Sequence, residues 1–118
     1  MKMAVTVWDN RISPVADSAR HLLVAQIHNQ KIQGLRYDYF DQESLFYRAR
    51  KLADLDIKIL VCGAISYFYS TLIEGYGIRV IPFIRGEVNE VLEAYLDQSL
   101  SSPRFVMTGC VPEPNKRR

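Results

Sequence analysis

The sequence changes period at Asp41. Residues 3–40 carry three short strand patterns, the last two joined by a tight turn; beyond them helical and strand patterns alternate as far as Ser99. Tight turns join antiparallel neighbours, whereas a helix between two strands returns the chain for parallel pairing. A chain that does both is confined to a mixed sheet.

Residues 3–8 (MAVTVW) are apolar and rich in β-branched side chains, which predicts a strand stopping at the turn pair Asp9-Asn10. Residues 9–20 (DNRISPVADSAR) show no period and contain Pro14, so they read as a loop, long for a small domain. Residues 21–27 (HLLVAQI) and 31–40 (KIQGLRYDYF) predict the second and third strands. In the third, Leu35, Tyr37 and Tyr39 alternate with Arg36 and Asp38, and Gly34 marks a bulge. A helix follows, with Asp41 as its cap and Leu45, Phe46, Ala49, Leu52 and Ala53 on one face. Residues 57–62 (IKILVC) form the nearly unbroken apolar run of a central parallel strand. Ser66 caps a second helix that ends near Gly75-Tyr76-Gly77. Residues 78–82 (IRVIP) predict a strand that Pro82 consigns to a sheet edge. Residues 87–99 predict the third helix, with Val88, Val91, Leu92, Tyr95 and Leu96 at helical spacing.

The first three strands make an antiparallel meander, and two right-handed helical crossovers then impose parallel pairing. The order that satisfies both is 3-2-1-4-5, with strand 2 antiparallel to the rest. The expected fold is therefore α/β: a five-stranded mixed sheet with three helices, in the connectivity of the ribonuclease H-like motif. Residues 1–100 form a single domain and residues 101–118 an irregular tail.

The 118 residues suffice for one domain with a real core. A net charge of +2 gives no electrostatic footprint for nucleic acid. No apolar stretch is long enough to span a membrane, and the first residues lack a secretory h-region, so the chain reads as cytoplasmic. Cys62 and Cys110 make no framework of bridges, and with His21 and His28 they show no zinc spacing. There is no glycine-rich phosphate loop and no nucleophile elbow.

Open α/β sheets bind ligands outside the carboxyl ends of strands where the winding reverses, here between strands 1 and 4. Trp8 and Asp9 end strand 1, Cys62 and Gly63 end strand 4, and His21 heads the antiparallel strand 2 at the same rim. Gly63 leaves room for a ligand, and the N–H groups opening the Ser66 helix favour an anion. Cys62 is a candidate ligand for a soft metal or an iron–sulfur species; equally, it is the small buried hydrophobe that most free cysteines are. His21 reads as a ligand or as a surface residue at a strand start, and Asp9 as a positioning group or a turn former. A metal-dependent nuclease needs several carboxylates on this rim, and the end of strand 4 offers none. The exposed edge of residues 31–40, with Tyr37 and Tyr39, suits pairing across a homodimer, which supports the alternative of a metal-free interaction or regulatory module.

The segments AVTVWDNRISPVADSARHLLV, LVCGAIS, GIRVIPFIRGEVNEVLEAYL and FVMTGC together resemble the dinitrogenase iron–molybdenum cofactor biosynthesis family, the small domains related to NifX and to the carrier region of NifB. The resemblance implies the fold above and non-catalytic binding or carriage of an iron–sulfur or iron–molybdenum cluster precursor, with cluster donor and acceptor proteins as partners and no nucleic acid or membrane. The chain would act as monomer or homodimer. Cys62 is the first candidate ligand, His21 and Cys110 the next; Trp8, Asp9, Asn10, Asp17, Gly63 and Ser66 complete the expected site. Residues 15–18, which include Asp17, occupy the place of a histidine-containing stretch in several carriers, and Thr108 stands where the tail usually has proline.

Overall fold

The apolar run Lys2–Trp8 forms β1 at the centre of the sheet, because both of its faces are covered. Alternation along the strand sends Met3, Val5 and Val7 to one side and Ala4 and Thr6 to the other. The computed structural model describes residues 1–109. Its elements after β1 are β2 (Arg11–Ile12), β3 (His21–His28), β4 (Lys31–Tyr39), α1 (Leu45–Asp54), β5 (Ile57–Val61), α2 (Tyr67–Gly75), β6 (Arg79–Ile81) and α3 (Val88–Leu96).

The five main strands lie in the order β4-β3-β1-β5-β6, and β2 pairs β1 off this path. The expected count of five is thus corrected to six. The extra strand arises because Asp9 and Asn10, at φ 52° and 65°, make a two-residue hairpin turn that brings Arg11 opposite Trp8. β3 is antiparallel to both neighbours, and β5 is parallel to β1 and β6. The register of β4 slips between Gly34 and Ile32, so a bulge sits beside Gly34.

α3 covers one face of the sheet, where Val88, Val91 and Leu92 meet Met3, Val5, Val7, Leu23 and Ala25. α1 and α2 cover the other, where Ala49, Leu52 and Ile73 meet Ala4, Leu22, Val24 and Leu60. Several boundaries differ from expectation. Ser44, not Asp41, is the residue preceding α1, and Phe46 is exposed. Pro82 lies just past β6, having no N–H with which to continue it. Residues 101–109 are irregular in outline yet packed: Phe105 is buried in the core under α3, and Val106, also buried, bridges Ile84. No helix among the described residues is long and apolar enough to cross a membrane.

Phe105→Ala is expected to cost about 3 kcal/mol, as for other large buried aromatics. Urea unfolding monitored by circular dichroism checks it; an unchanged midpoint would place the folded unit's end before this residue.

Candidate functional site

Residues 11–20 are a strap across the carboxyl ends of β1 and β5. Its middle is fixed by backbone hydrogen bonds. The Ser13 N–H donates to the Thr6 carbonyl at 2.9 Å, the Ala64 N–H to the Pro14 carbonyl at 2.9 Å, and the Ala16 N–H to the Ala64 carbonyl at 2.7 Å. Val15 and Ala64 form a parallel bridge. A Cβ on Gly63 would lie 2.5 Å from the carbonyl oxygens of both Ser13 and Pro14. The space expected for a ligand at Gly63 is therefore filled by the protein's own backbone, and glycine is what permits that approach.

The start of α2 is likewise occupied from within. The Ser66 hydroxyl accepts the Tyr69 N–H at 3.1 Å, and the Asp17 carboxylate accepts the Ser66 N–H at 2.9 Å. The anion expected at this helix start is the Asp17 side chain itself.

Arg48 holds the far end of the strap. Its Nη1 donates to the carbonyls of Asp17 (2.8 Å) and Ala19 (3.3 Å), and its Nε to that of Gln42 (2.8 Å). The guanidinium also lies 5.3 Å from the centre of the Phe40 ring. Only 3% of Arg48 is exposed. Sequence reasoning passed it over, although it stands three residues after Leu45 and four before Leu52, within the apolar arc of α1.

Cys62 follows β5 with its side chain turned under the strap, among Ala4, Ala16, Leu22 and Tyr69. It is 0% exposed, so the thiol is not presented at the rim as expected. Burial, reinforced by the negative charge of Asp17, pushes the thiol up to about 12. Burial also raises the Tyr69 phenol, against the opposing pull of Arg48. Thr6 is buried on this side too, and its hydroxyl oxygen has no hydrogen-bond partner.

What remains open lies outside the strap. A cleft of 390 Å³ is lined by Trp8, Ser13, Pro14, Val15, Arg20 and His21, among others. Trp8 is 67% exposed and supplies an aromatic wall; His21 is exposed at the head of β3, opposite Val7. Arg20 pairs with Glu43. Asp9 and Asn10 serve the hairpin turn, and the Asn10 carbonyl accepts the Val88 N–H that opens α3. The structure thus brings Trp8 and His21 together, sets Asp17, Gly63 and Ser66 to structural work, and puts Cys62 beneath them. Cys110 lies outside the described residues. Among the described residues no group of three or more His, Cys, Asp or Glu side chains is arranged to hold a metal ion. A larger groove of 780 Å³ runs beside β6 and α3 toward Met1 and Gln30 at the other end of the sheet, and no His or Cys lines it.

A family model, dinitrogenase iron–molybdenum cofactor, matches residues 1–98. The chain belongs to this family. No curated protein matches it. Among solved structures it is similar to PH0822 (TM-score 0.81, 15% identity, covering 92% of this chain and 96% of that one). It is also similar to a candidate dinitrogenase from Methanocaldococcus jannaschii (TM-score 0.70, 14% identity, 84% and 90% covered). A third is the apo form of the orange protein from Desulfovibrio gigas (TM-score 0.70, 18% identity, 92% of each chain). At these identities the likeness establishes the fold.

Two outcomes follow from the strap. Gly63→Ala is expected to destabilise the fold by about 1–3 kcal/mol, since both opposing atoms are backbone; chemical denaturation measures it. In a Cys110→Ser variant, Cys62 is expected to stay unlabelled by a thiol reagent at pH 8 and to react fully in urea. The unfolded thiol ionises near 9.0 and the folded one near 12, so its contribution to stability is complete below pH 9 and is lost as pH rises toward 12.

Proposed function

We propose that this protein holds an iron–sulfur or iron–molybdenum cluster precursor as cargo in the cleft beside Trp8 and His21, and passes it between donor and acceptor proteins without chemistry of its own. The observation that carries this reading is the family match over residues 1–98, together with a cleft between the strap and the ends of β1 and β3 that has an imidazole at its mouth. His21 supplies a nitrogen ligand, Arg20 a cation beside an anionic cluster, and Trp8 a wall that shields one side from water. Asp9, Asn10, Asp17, Gly63 and Ser66 hold the strap and hairpin that shape the cleft. Cys62 becomes a second ligand only if the strap lifts, and Cys110 is a further thiol on the chain that follows residue 109. An incomplete ligand set suits cargo that must leave again.

Anaerobic reconstitution with ferrous iron and sulfide tests the reading. The expected product is a coloured protein whose charge-transfer absorption and retained iron fall several-fold in His21→Ala. Cys62→Ala is expected to lower them less, because the thiol lies under the strap. A colourless, iron-free protein after reconstitution would refute carriage and leave the metal-free interaction module as the better account.

A further inference from the structure

β4 is the longest strand and stands at the edge of the sheet. Its blunting is confined to one end and to one face: it has no proline, Lys31 and the bulge beside Gly34 lie at its start, and Arg36 and Asp38 are of opposite charge. Three large side chains on its α3 side, Leu35, Tyr37 and Tyr39, are all more than half exposed. They stand opposite Ala25, Leu23 and His21 of β3, beyond the reach of α3.

The backbone of the edge is available in its middle. The Phe40 N–H donates inward to the Arg20 carbonyl, so by alternation Asp38 and Arg36 also turn their backbone groups toward β3. Leu35, Tyr37 and Tyr39 therefore turn theirs outward. At Tyr39 the outward groups are held by neighbouring side chains: its N–H donates to the Asp38 carboxylate at 2.8 Å, and its carbonyl accepts from Lys51. At Leu35 and Tyr37 no such bond is formed.

We infer that this edge pairs with β4 of a second copy of the chain, antiparallel, with Tyr37 of each copy facing Tyr37 of the other on a two-fold axis. The charge pattern selects this register. With Tyr37 at the centre, Arg36 of each copy stands opposite Asp38 of the other, in the closely spaced non-hydrogen-bonded positions where side chains meet best. Leu35 then faces Tyr39 on the α3 side, and the two Tyr37 residues exchange their N–H and carbonyl groups; full pairing at Leu35 requires Tyr39 to release Asp38 and Lys51. Centring on Arg36 instead would oppose two arginines, and centring on Leu35 would run the partner strand into the Gly34 bulge with Arg36 opposite a glycine. Arg36 and Asp38 already lie together on the α1 side, 3.5 Å apart within one chain, so pairing exchanges the one intrachain contact of each copy for two across the axis, while Asp38 keeps Lys51 at 3.2 Å. The result is an isologous dimer with one continuous sheet. This assembly is independent of whether a cluster is carried.

The test uses the full chain. Sedimentation or light scattering is expected to give twice the 13.6 kDa chain mass. Arg36→Asp, which opposes two aspartates across the axis, is expected to weaken association roughly tenfold or more while the circular dichroism spectrum is unchanged. In a Cys110→Ser background, Tyr37→Cys is expected to form an interchain disulfide under mild oxidation. Facing hydrogen-bonded residues lie about 5.5 Å apart, within disulfide range. Leu35→Cys, whose opposite number is Tyr39, is expected to cross-link far less. A monomer at all concentrations overturns the inference. So does a dimer that survives Arg36→Asp and fails to cross-link through Tyr37→Cys, which would put the interface elsewhere.

Discussion

The closeness of two backbones at Gly63 governs the upper half of this molecule. The winding of the sheet reverses between β1 and β5, which opens a crevice above their carboxyl ends. Here residues 13–16 lie in that crevice, near enough that any side chain at position 63 would collide with the carbonyls of Ser13 and Pro14. Once the strap is seated, its amides and carbonyls are satisfied by Thr6 and Ala64, Asp17 is delivered to the start of α2, and Cys62 is roofed over. The cleft that stays open is displaced outward, to the space between Trp8, the strap and His21.

The strap in turn depends on a buried cation. A guanidinium removed from water is costly unless its donors are met. Arg48 meets that cost with three carbonyl acceptors and the face of Phe40, and no carboxylate takes part in those bonds. Neutral acceptors suit the position: they lie on chain segments 42, 17 and 19, so one planar fork fastens α1 to both the approach to β3 and the chain that leads into the helix. Lysine would offer a single charge centre without that reach.

Strand order along the main path, the crossovers and the convergence of Trp8 with His21 were legible in the sequence because each rests on a period or on turn length, both local properties. The bulge by Gly34 was legible for the same reason. β2 was hidden because two residues carry no period; only the Asp9-Asn10 pair announced it, and that pair read simply as the end of a strand. Arg48 was hidden by its charge, although its spacing from Leu45 and Leu52 places it on the buried side of α1. The expectation of open space at Cys62 and Gly63 has another source. A glycine that makes room for a ligand and a glycine that makes room for its own chain look identical in sequence, and the partner here lies some fifty positions away. The thiol's direction followed from the same ambiguity: alternation from Leu60 assigns Cys62 to the α1 and α2 side, but whether that side is open depends on the strap.

The arrangement at the rim also bears on what kind of binding it can support. A closed set of thiolates and imidazoles holds a metal with a binding energy that becomes folding energy, and such cargo does not leave on a useful timescale. The strap keeps the thiol out of play: with its proton retained until about pH 12, Cys62 is not a thiolate while the strap is closed. On the proposed reading, ligation by Cys62 is thereby tied to a local opening that must break the Ala64 hydrogen bonds to Pro14 and Ala16, whereas ligation by the exposed His21 needs no opening. The strap that covers Cys62 then sets the upper limit on how tightly a passing metal is held.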